Sequence, residues 1–294
     1  MSDFVQREQV TCRFDSADGW VVLTPIEQSI KRKIEAVGKP LKDWDINIYR
    51  GVLTGCNEAF IINTDKRDEI LSNCQSEEER TRTEALIRPI LRGRDIKRYG
   101  YVDNGLFLIN THNGIRGKFP RINIEDYPAV KAHLDQYWDK IYFRADQGDT
   151  PYNLRNCAYL EDFSKPKIVW NRIASEKVFA VVDKGIFIQD SMHFFTGNNL
   201  EYLNIVLNSK LYAMLLGLYI GEAAGGNAGN SDNVRDLYVA YPTSEVKSTL
   251  LQLFSEGNLD AVNEFIYCIY GLTVEEQCYI ETYHRELSRP DESL

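Results

Sequence analysis

Three strand-like runs, KIVWNRI, KVFAVVD and GIFIQDSMHFFTG, follow one another between Lys167 and Gly197. At Asn199 the pattern changes to helix with NLEYLNIVLNSKLYAMLLGLY. Short runs rich in β-branched and aromatic residues suit a half-buried pleated surface, whereas the later segment is too long to be one strand. Runs of strands followed by runs of helices predict an α+β fold, with a strand-rich lobe and a C-terminal helical segment.

Local signals fill in the rest. Thr24 and Glu27 have capping-box spacing, Pro25 occupies the first helical position, and Ile26, Ile30 and Ile34 form one stripe, so a helix is expected from Thr24 to Val37 with Gly38 as its stop. NIYRGVLTGCNEAFIIN reads as strand, glycine turn, strand. Ser76 and Glu79 open a second capped helix that ends before Pro89, LFLIN is a short strand, and PAVKAHLDQYW a helix with Val130, Leu134 and Tyr137 on one face. Asp183-Lys184-Gly185 carries a hairpin signal between its two flanking runs. Residues 221–233 are a Gly/Asn/Ala/Ser loop, and DLYVAYP returns as strand. Beyond Glu245 the chain is helical and acidic: Val262, Phe265, Ile266, Ile269 and Tyr270 form an amphipathic stripe, and Thr273 and Glu276 another capping box. The expected organisation is a linker or extension over 1–23, a main domain over 24–243, and a helical segment over 244–294.

Apolar residues make up 44% of the 294-residue chain, enough for a sizeable core, which excludes wholesale disorder. The opening MSDFVQREQV has no apolar core of a secretory signal, and the longest apolar stretch, LYAMLLGLYIG, falls well short of the ~20 residues that span a bilayer. A cytoplasmic protein with reduced thiols is the expectation: the six cysteines form no C-x-x-C pair, and neither they nor the four histidines have zinc-site spacing.

Charge is segregated. The chain carries 34 Lys and Arg against 43 Asp and Glu, a net of −9 that argues against a simple basic DNA-binding module. Yet Arg80–Arg121 holds ten bases and three acids, and Ser244–Leu294 three bases and ten acids. Exposed charges separated by more than about 10 Å are screened, so a local basic surface can hold phosphates on an acidic molecule. The same arginines equally fit a solvated face with internal salt bridges.

Catalytic motifs are scarce. Glu245-Val246-Lys247, with Asp232 or Asp236 upstream, is the nearest approach to a metal-dependent nuclease, but it opens a helix rather than lying in a strand. GGNAG lacks the Lys-Ser/Thr tail of a phosphate loop, and no G-x-S-x-G elbow occurs.

Five stretches, in order, resemble the C-terminal specificity (target-recognition) domain of TaqI-like and Eco57I-like restriction-modification methylases. They are RGVLTGCNEAFIIN (50–63), LIRPILRGRDIKRYGY (86–101), PYNLRNCAYLEDFSKPKIVW (151–170), LNIVLNSKL (203–211) and VNEFIYCIYGLTVEEQCYIE (262–281). The resemblance spans about Pro25 to Glu281. It implies a non-catalytic chain that reads a short sequence of double-stranded DNA, as part of a larger enzyme or as a separate subunit. It also implies that the C-terminal helices pack on a methyltransferase domain or subunit. Neither the Asn-Pro-Pro-Tyr motif of the methyltransferase nor a nuclease motif is present, so no cofactor is expected here. S-adenosylmethionine and Mg²⁺ would serve the parent enzyme's other domains. The rival classes are a metal-dependent endonuclease and a protein-interaction domain that does not touch DNA.

Within that frame Arg88, Arg92, Arg94, Lys97 and Arg98 are the expected phosphate contacts, because the planar fork of arginine matches phosphate oxygens. Their alternative is structural, with Arg94 or Arg98 pairing with Asp95 or another internal acid. Base readout needs long polar side chains, and Arg116, Lys118, Arg155, Asn171 and Arg172 are candidates beside strands or in a Gly-flanked loop. Thr54 and Asn57 can supply donors near DNA, or simply belong to a turn closing a hairpin. Tyr99 and Tyr101 are expected to be packing residues.

Overall fold

The computed structural model describes residues 23–174, 177–220 and 234–287. The expected linker or extension over 1–23, apart from Leu23, lies outside the described residues, as do the loop over 221–233, Asp232 and Cys12.

From the amino end, α1 (Pro25–Val37) is followed by β1 (Lys39–Pro40), β2 (Ile46–Arg50), α2 (Asn57–Phe60), β3 (Ile61–Asn63), α3 (Thr64–Ser72) and α4 (Glu77–Leu86). Next come β4 (Ile87–Leu91), β5 (Ile96–Lys97), β6 (Gly100–Tyr101), β7 (Leu106–Ile109), α5 (Pro128–Asp135) and α6 (Trp138–Ile141). The later strands are β8 (Lys167–Asn171), β9 (Phe179–Val182), β10 (Phe187–Ile188) and β11 (Met192–Gly197). Then α7 (Leu200–Leu207), α8 (Lys210–Ile220) and β12 (Tyr238–Val239) lead to α9 (Ser244–Ser255), α10 (Leu259–Ile269) and α11 (Val274–Leu287). The fold is α+β and closes on a helical segment.

The contacts divide the chain into two compact units. One comprises the described residues of Met1–Ile46, Arg172–Phe179 and Gly197–Leu294, the other Asn47–Asn171 and Ala180–Thr196.

In the first unit α1 is capped as its sequence dictates: Thr24 Oγ1 accepts from Glu27 N, and Glu27 Oε2 accepts from Thr24 N at 2.7 Å. Ile30 and Ile34 are buried, and β1 pairs antiparallel with β12. The apolar run after Asn199 is two helices rather than one. The Asn208 amide takes over the break, donating to Asn204 O and Phe179 O while its oxygen accepts from Phe179 N. Tyr212 and Tyr270 share a hydroxyl hydrogen bond of 2.7 Å, and Tyr270 Oη accepts from Ala240 N. Val262, Ile266 and Tyr270 of the predicted stripe are buried, and Thr273 and Glu276 form their capping box.

Two four-stranded sheets, ordered β10-β4-β7-β3 and β2-β11-β8-β9, lie largely in the second unit. Both expected hairpins are corrected here. β2 and β3 lie in different sheets, so the glycine turn between them does not close a strand pair. β9 and β10 part in the same way at Asp183-Lys184-Gly185, and β10 instead runs parallel to β4, Phe187 beside Ile90 and Ile188 beside Leu91. GIFIQDSMHFFTG is accordingly two strands, not one. The core includes Phe163 stacked on Phe187 at 4.5 Å with Phe194 tilted against Phe163 at 4.8 Å. At the start of β8, Lys167 is completely buried, its ammonium donating to the carbonyls of Phe163, Asp183 and Ile186. Burial pushes that ammonium down to about 8.

Candidate nucleic-acid interface

The basic segment begins on β4 and turns at Arg92-Gly93-Arg94-Asp95, a single 3₁₀ turn that leads into β5. Asp95, only 2% exposed, organises this turn. Its carboxylate accepts from Arg92 N at 2.7 Å, from Arg92 Nε at 3.3 Å and from Asn104 Nδ2 at 2.9 Å. Burial alone would push the carboxyl up, but these hydrogen bonds and the guanidinium outweigh it and hold it below the usual range. Asn171, at the end of β8, donates to Gly93 O at 3.0 Å, and a side chain at residue 93 would collide with the Asn171 amide. The outward residues of the turn are Arg94 and Lys97, both exposed, with Lys97 Nζ reaching back to Arg94 O at 3.2 Å. Tyr99, in the two-residue connection between β5 and β6, has φ of 72°, uncommon for a bulky residue.

Most of the other positive charge in this stretch is already engaged. Arg80 donates to Leu71 O, Arg82 donates to Asp126 O while lying over the Tyr127 ring, and Arg88 reaches Gly185 O. Gly185 leaves the room for this: a Cβ there would stand 2.7 Å from the Arg88 guanidinium. Lys118 pairs with Glu161, and Arg121 with Asp149 at 3.2 Å. Arg98 interacts with the Tyr99 hydroxyl.

A second turn, Ile115–Phe119, is closed by an isolated antiparallel bridge, with Arg116, Gly117 and Lys118 exposed at its tip. Gly114 and Gly117 both have positive φ, and Gly114 is packed so closely that a Cβ would lie 2.6 Å from Arg121 N. The Asn113 amide ties the turn to its neighbours, donating to Asp149 Oδ1 at 2.9 Å and Asn156 Oδ1 at 2.6 Å. Beside it lies an open groove of about 540 Å³.

Thr54 is buried and donates to Asn57 Oδ1 at 2.6 Å; Gly55, with φ of 67°, completes this turn. What fixes it is Arg144, which the sequence reading passed over. The guanidinium, 6% exposed, donates to the carbonyls of Thr54, Pro151 and Asn153 and stands 4.2 Å over the Phe60 ring. Burial pushes it down to about 10. Nothing in FRADQ announces a buried arginine, because no periodicity surrounds it. Arg155, on the surface, pairs with Asp146 at 3.1 Å. Arg172 falls in the other unit, where its carbonyl accepts from Lys177 Nζ.

Of the nuclease set, Asp236 pairs with Lys42, Lys247 donates to Asn199 Oδ1, and Glu245 is exposed in the first turn of α9. Among the described residues no three His, Cys, Asp or Glu side chains gather as a metal site. The cysteines described, Cys56, Cys74, Cys157, Cys268 and Cys278, are free thiols. No helix among the described residues is long and apolar enough to cross a membrane.

Comparison with known proteins finds a family match for the segment that holds both turns. Residues 88–225 match the TaqI-like C-terminal specificity domain. The specificity-domain match opens at Arg88 on β4, takes in both turns and all of β5 to β11, and continues through α7 and α8. No curated protein matches the chain. Among solved structures, the type IIL restriction-modification enzyme MmeI in complex with DNA is similar with a TM-score of 0.52 at 11% identity, over 85% of this chain. That likeness is one of fold, and the chain spans 37% of the MmeI chain. The type IIG restriction endonuclease BpuSI aligns with a TM-score of 0.46 at 15% identity, over 79% of this chain and 28% of its own.

Proposed function

We propose that this chain is the sequence-reading part of a restriction-modification enzyme and that it holds double-stranded DNA for catalytic modules elsewhere in that enzyme. The observation that carries the reading is the specificity-domain match over residues 88–225. It is supported by the exposure of Arg94, Lys97 and Arg116, while neighbouring bases are tied to carbonyls and carboxylates. Arg94, Lys97 and Arg116 are the phosphate and base-edge contacts under this reading. Arg92 and Asn171 shape the turn that presents Arg94, while Thr54 and Asn57 belong to the turn that Arg144 locks. The acidic helices after Ser244 face a protein neighbour, the methyltransferase domain or subunit, rather than phosphates. S-adenosylmethionine and Mg²⁺ act in those other modules, in the cytoplasm.

The test is gel-shift binding of the chain to duplex DNA across a salt series. Two phosphate contacts, Arg94 and Lys97, give a slope of log K against log salt of about −1.8, near −0.9 per contact. Arg94→Ala should reduce the slope by about one contact. Salt-insensitive binding, or a slope unchanged by Arg94→Ala together with Lys97→Ala, overturns the reading. Mg²⁺-dependent cleavage by the chain itself, abolished in Glu245→Ala, would replace it with the endonuclease.

A further inference from the structure

The groove beside the Ile115–Phe119 turn has features that a straight duplex backbone does not require. It is an open groove of about 540 Å³. Its lining combines an aromatic ring, Phe119, with the amide of Asn156, the Cys157 thiol and two arginines, Arg116 and Arg121. Phe119 is half-buried and braced edge-on by His112 at 5.2 Å, so its ring is held in place. Burial pushes the Cys157 thiol up to about 11, so it stays neutral near pH 7.

The polar groups divide into a frame and a set left over. Asn113 is fully occupied in the frame, since its oxygen also accepts from Asp149 N at 2.9 Å. Gly148 makes room for it, because a Cβ there would stand 2.6 Å from the Asn113 oxygen. Arg121 is neutralised by Asp149. The guanidinium of Arg116 and the Nδ2 of Asn156 remain uncommitted among the described residues, both exposed. A fixed aromatic ring, an uncommitted amide donor and an uncommitted guanidinium are the groups that would stack a base, bond its edge and hold its phosphate.

We infer that this groove binds one unstacked nucleotide of the DNA, with the base against Phe119 and Asn156 and the phosphate on Arg116. The inference rests on the DNA-recognition reading above and adds to it a ligand for one place. It gives Arg116 a phosphate at an extruded nucleotide rather than a paired base edge.

The experiment compares the full chain on two duplexes of about 20 base pairs, one fully paired and one identical but carrying a single bulged 2-aminopurine nucleotide. The bulged duplex should bind about fivefold tighter or better, the lower end of what one stacked base contributes, and the 2-aminopurine fluorescence should fall on binding. Arg116→Ala and Asn156→Asp change exposed side chains, and the latter keeps an oxygen for Asn113 Nδ2 while removing the amide donor, so neither should alter thermal unfolding. Each should erase most of the preference for the bulge, and Phe119→Ala should restore the fluorescence. Equal affinity for the two duplexes, or a preference that survives Arg116→Ala, overturns the inference and leaves the recognition reading in place. Absence of binding to either duplex overturns both.

Discussion

Asp95 locks Arg92: one buried carboxylate takes both the backbone N–H and the guanidinium of the residue three positions before it. The most basic stretch of the chain is therefore shaped by an acid. Asp95→Ala strands the Arg92 N–H and the Asn104 amide, and should lower stability by about 2 kcal/mol in urea unfolding. The pH dependence has a definite sign. The folded carboxyl titrates below its ordinary value, so its contribution is complete above about pH 4 and is lost as pH falls through the folded pKa. Asp95→Asn should remove that part of the acid sensitivity.

Lys167 makes the opposite prediction at high pH. Its ammonium is pushed down to about 8 in the fold, against an unfolded value near 10.5. Between those values the unfolded chain binds more protons than the folded one, so this group makes stability rise with pH. Urea midpoints at pH 7.5 and 9.5 should show a more favourable change in the natural sequence than in Lys167→Met. Parallel behaviour of the two proteins would show that the ammonium is not desolvated.

Arg144 is expected to be a stability residue. Arg144→Met keeps an aliphatic stem but removes the guanidinium that lies over Phe60 and deserts the carbonyls of Thr54, Pro151 and Asn153. A loss of about 3 kcal/mol in chemical unfolding is expected, from buried acceptors left without donors. Arg155→Met, which breaks an exposed pair with Asp146, should cost under about 1 kcal/mol by the same measurement.

Gly114→Ala tests the second turn. A Cβ there would meet the backbone of Pro120 and Arg121 at 2.6 Å, and the positive φ adds strain of its own. The expected result is a loss of about 1–3 kcal/mol in thermal unfolding and faster amide exchange at Lys118 and Phe119, which bond to Ile115 O. Gly117→Ala, with open space around its Cβ, should cost less.

How much of this was legible depended on how far each feature reaches along the chain. The capping boxes at Thr24–Glu27 and Thr273–Glu276, and the stripe through Val262, Ile266 and Tyr270, are set within one or two helical turns, and the sequence announces them. Strand partnership is not local. Asp183-Lys184-Gly185 has hairpin composition, yet Phe187 and Ile188 find Ile90 and Leu91 nearly a hundred residues earlier, a pairing that no neighbouring residue encodes. Pro89 concealed β4 in the same way, since proline argues against a strand flanked on both sides. At the site, the charge excess of Arg80–Arg121 was plain. Which of those cations stay exposed was not, because that depends on carbonyls such as Leu71 O and Gly185 O brought in by folding. The recognition-domain resemblance named the segment; only the hydrogen bonds sort its arginines.

The chain passes between its two compact units four times, at residues 46–47, 171–172, 179–180 and 196–197. Neither unit is therefore one continuous stretch of polypeptide, and no single pair of cuts releases either whole. Transplanting the unit with both turns into a related scaffold would mean moving 47–171 and 180–196 together, with all four junctions intact. Under the proposed recognition role, a change of specificity in such a chain is more accessible by replacing exposed side chains of the turns, such as Arg94, Lys97 and Arg116, than by exchanging blocks of sequence.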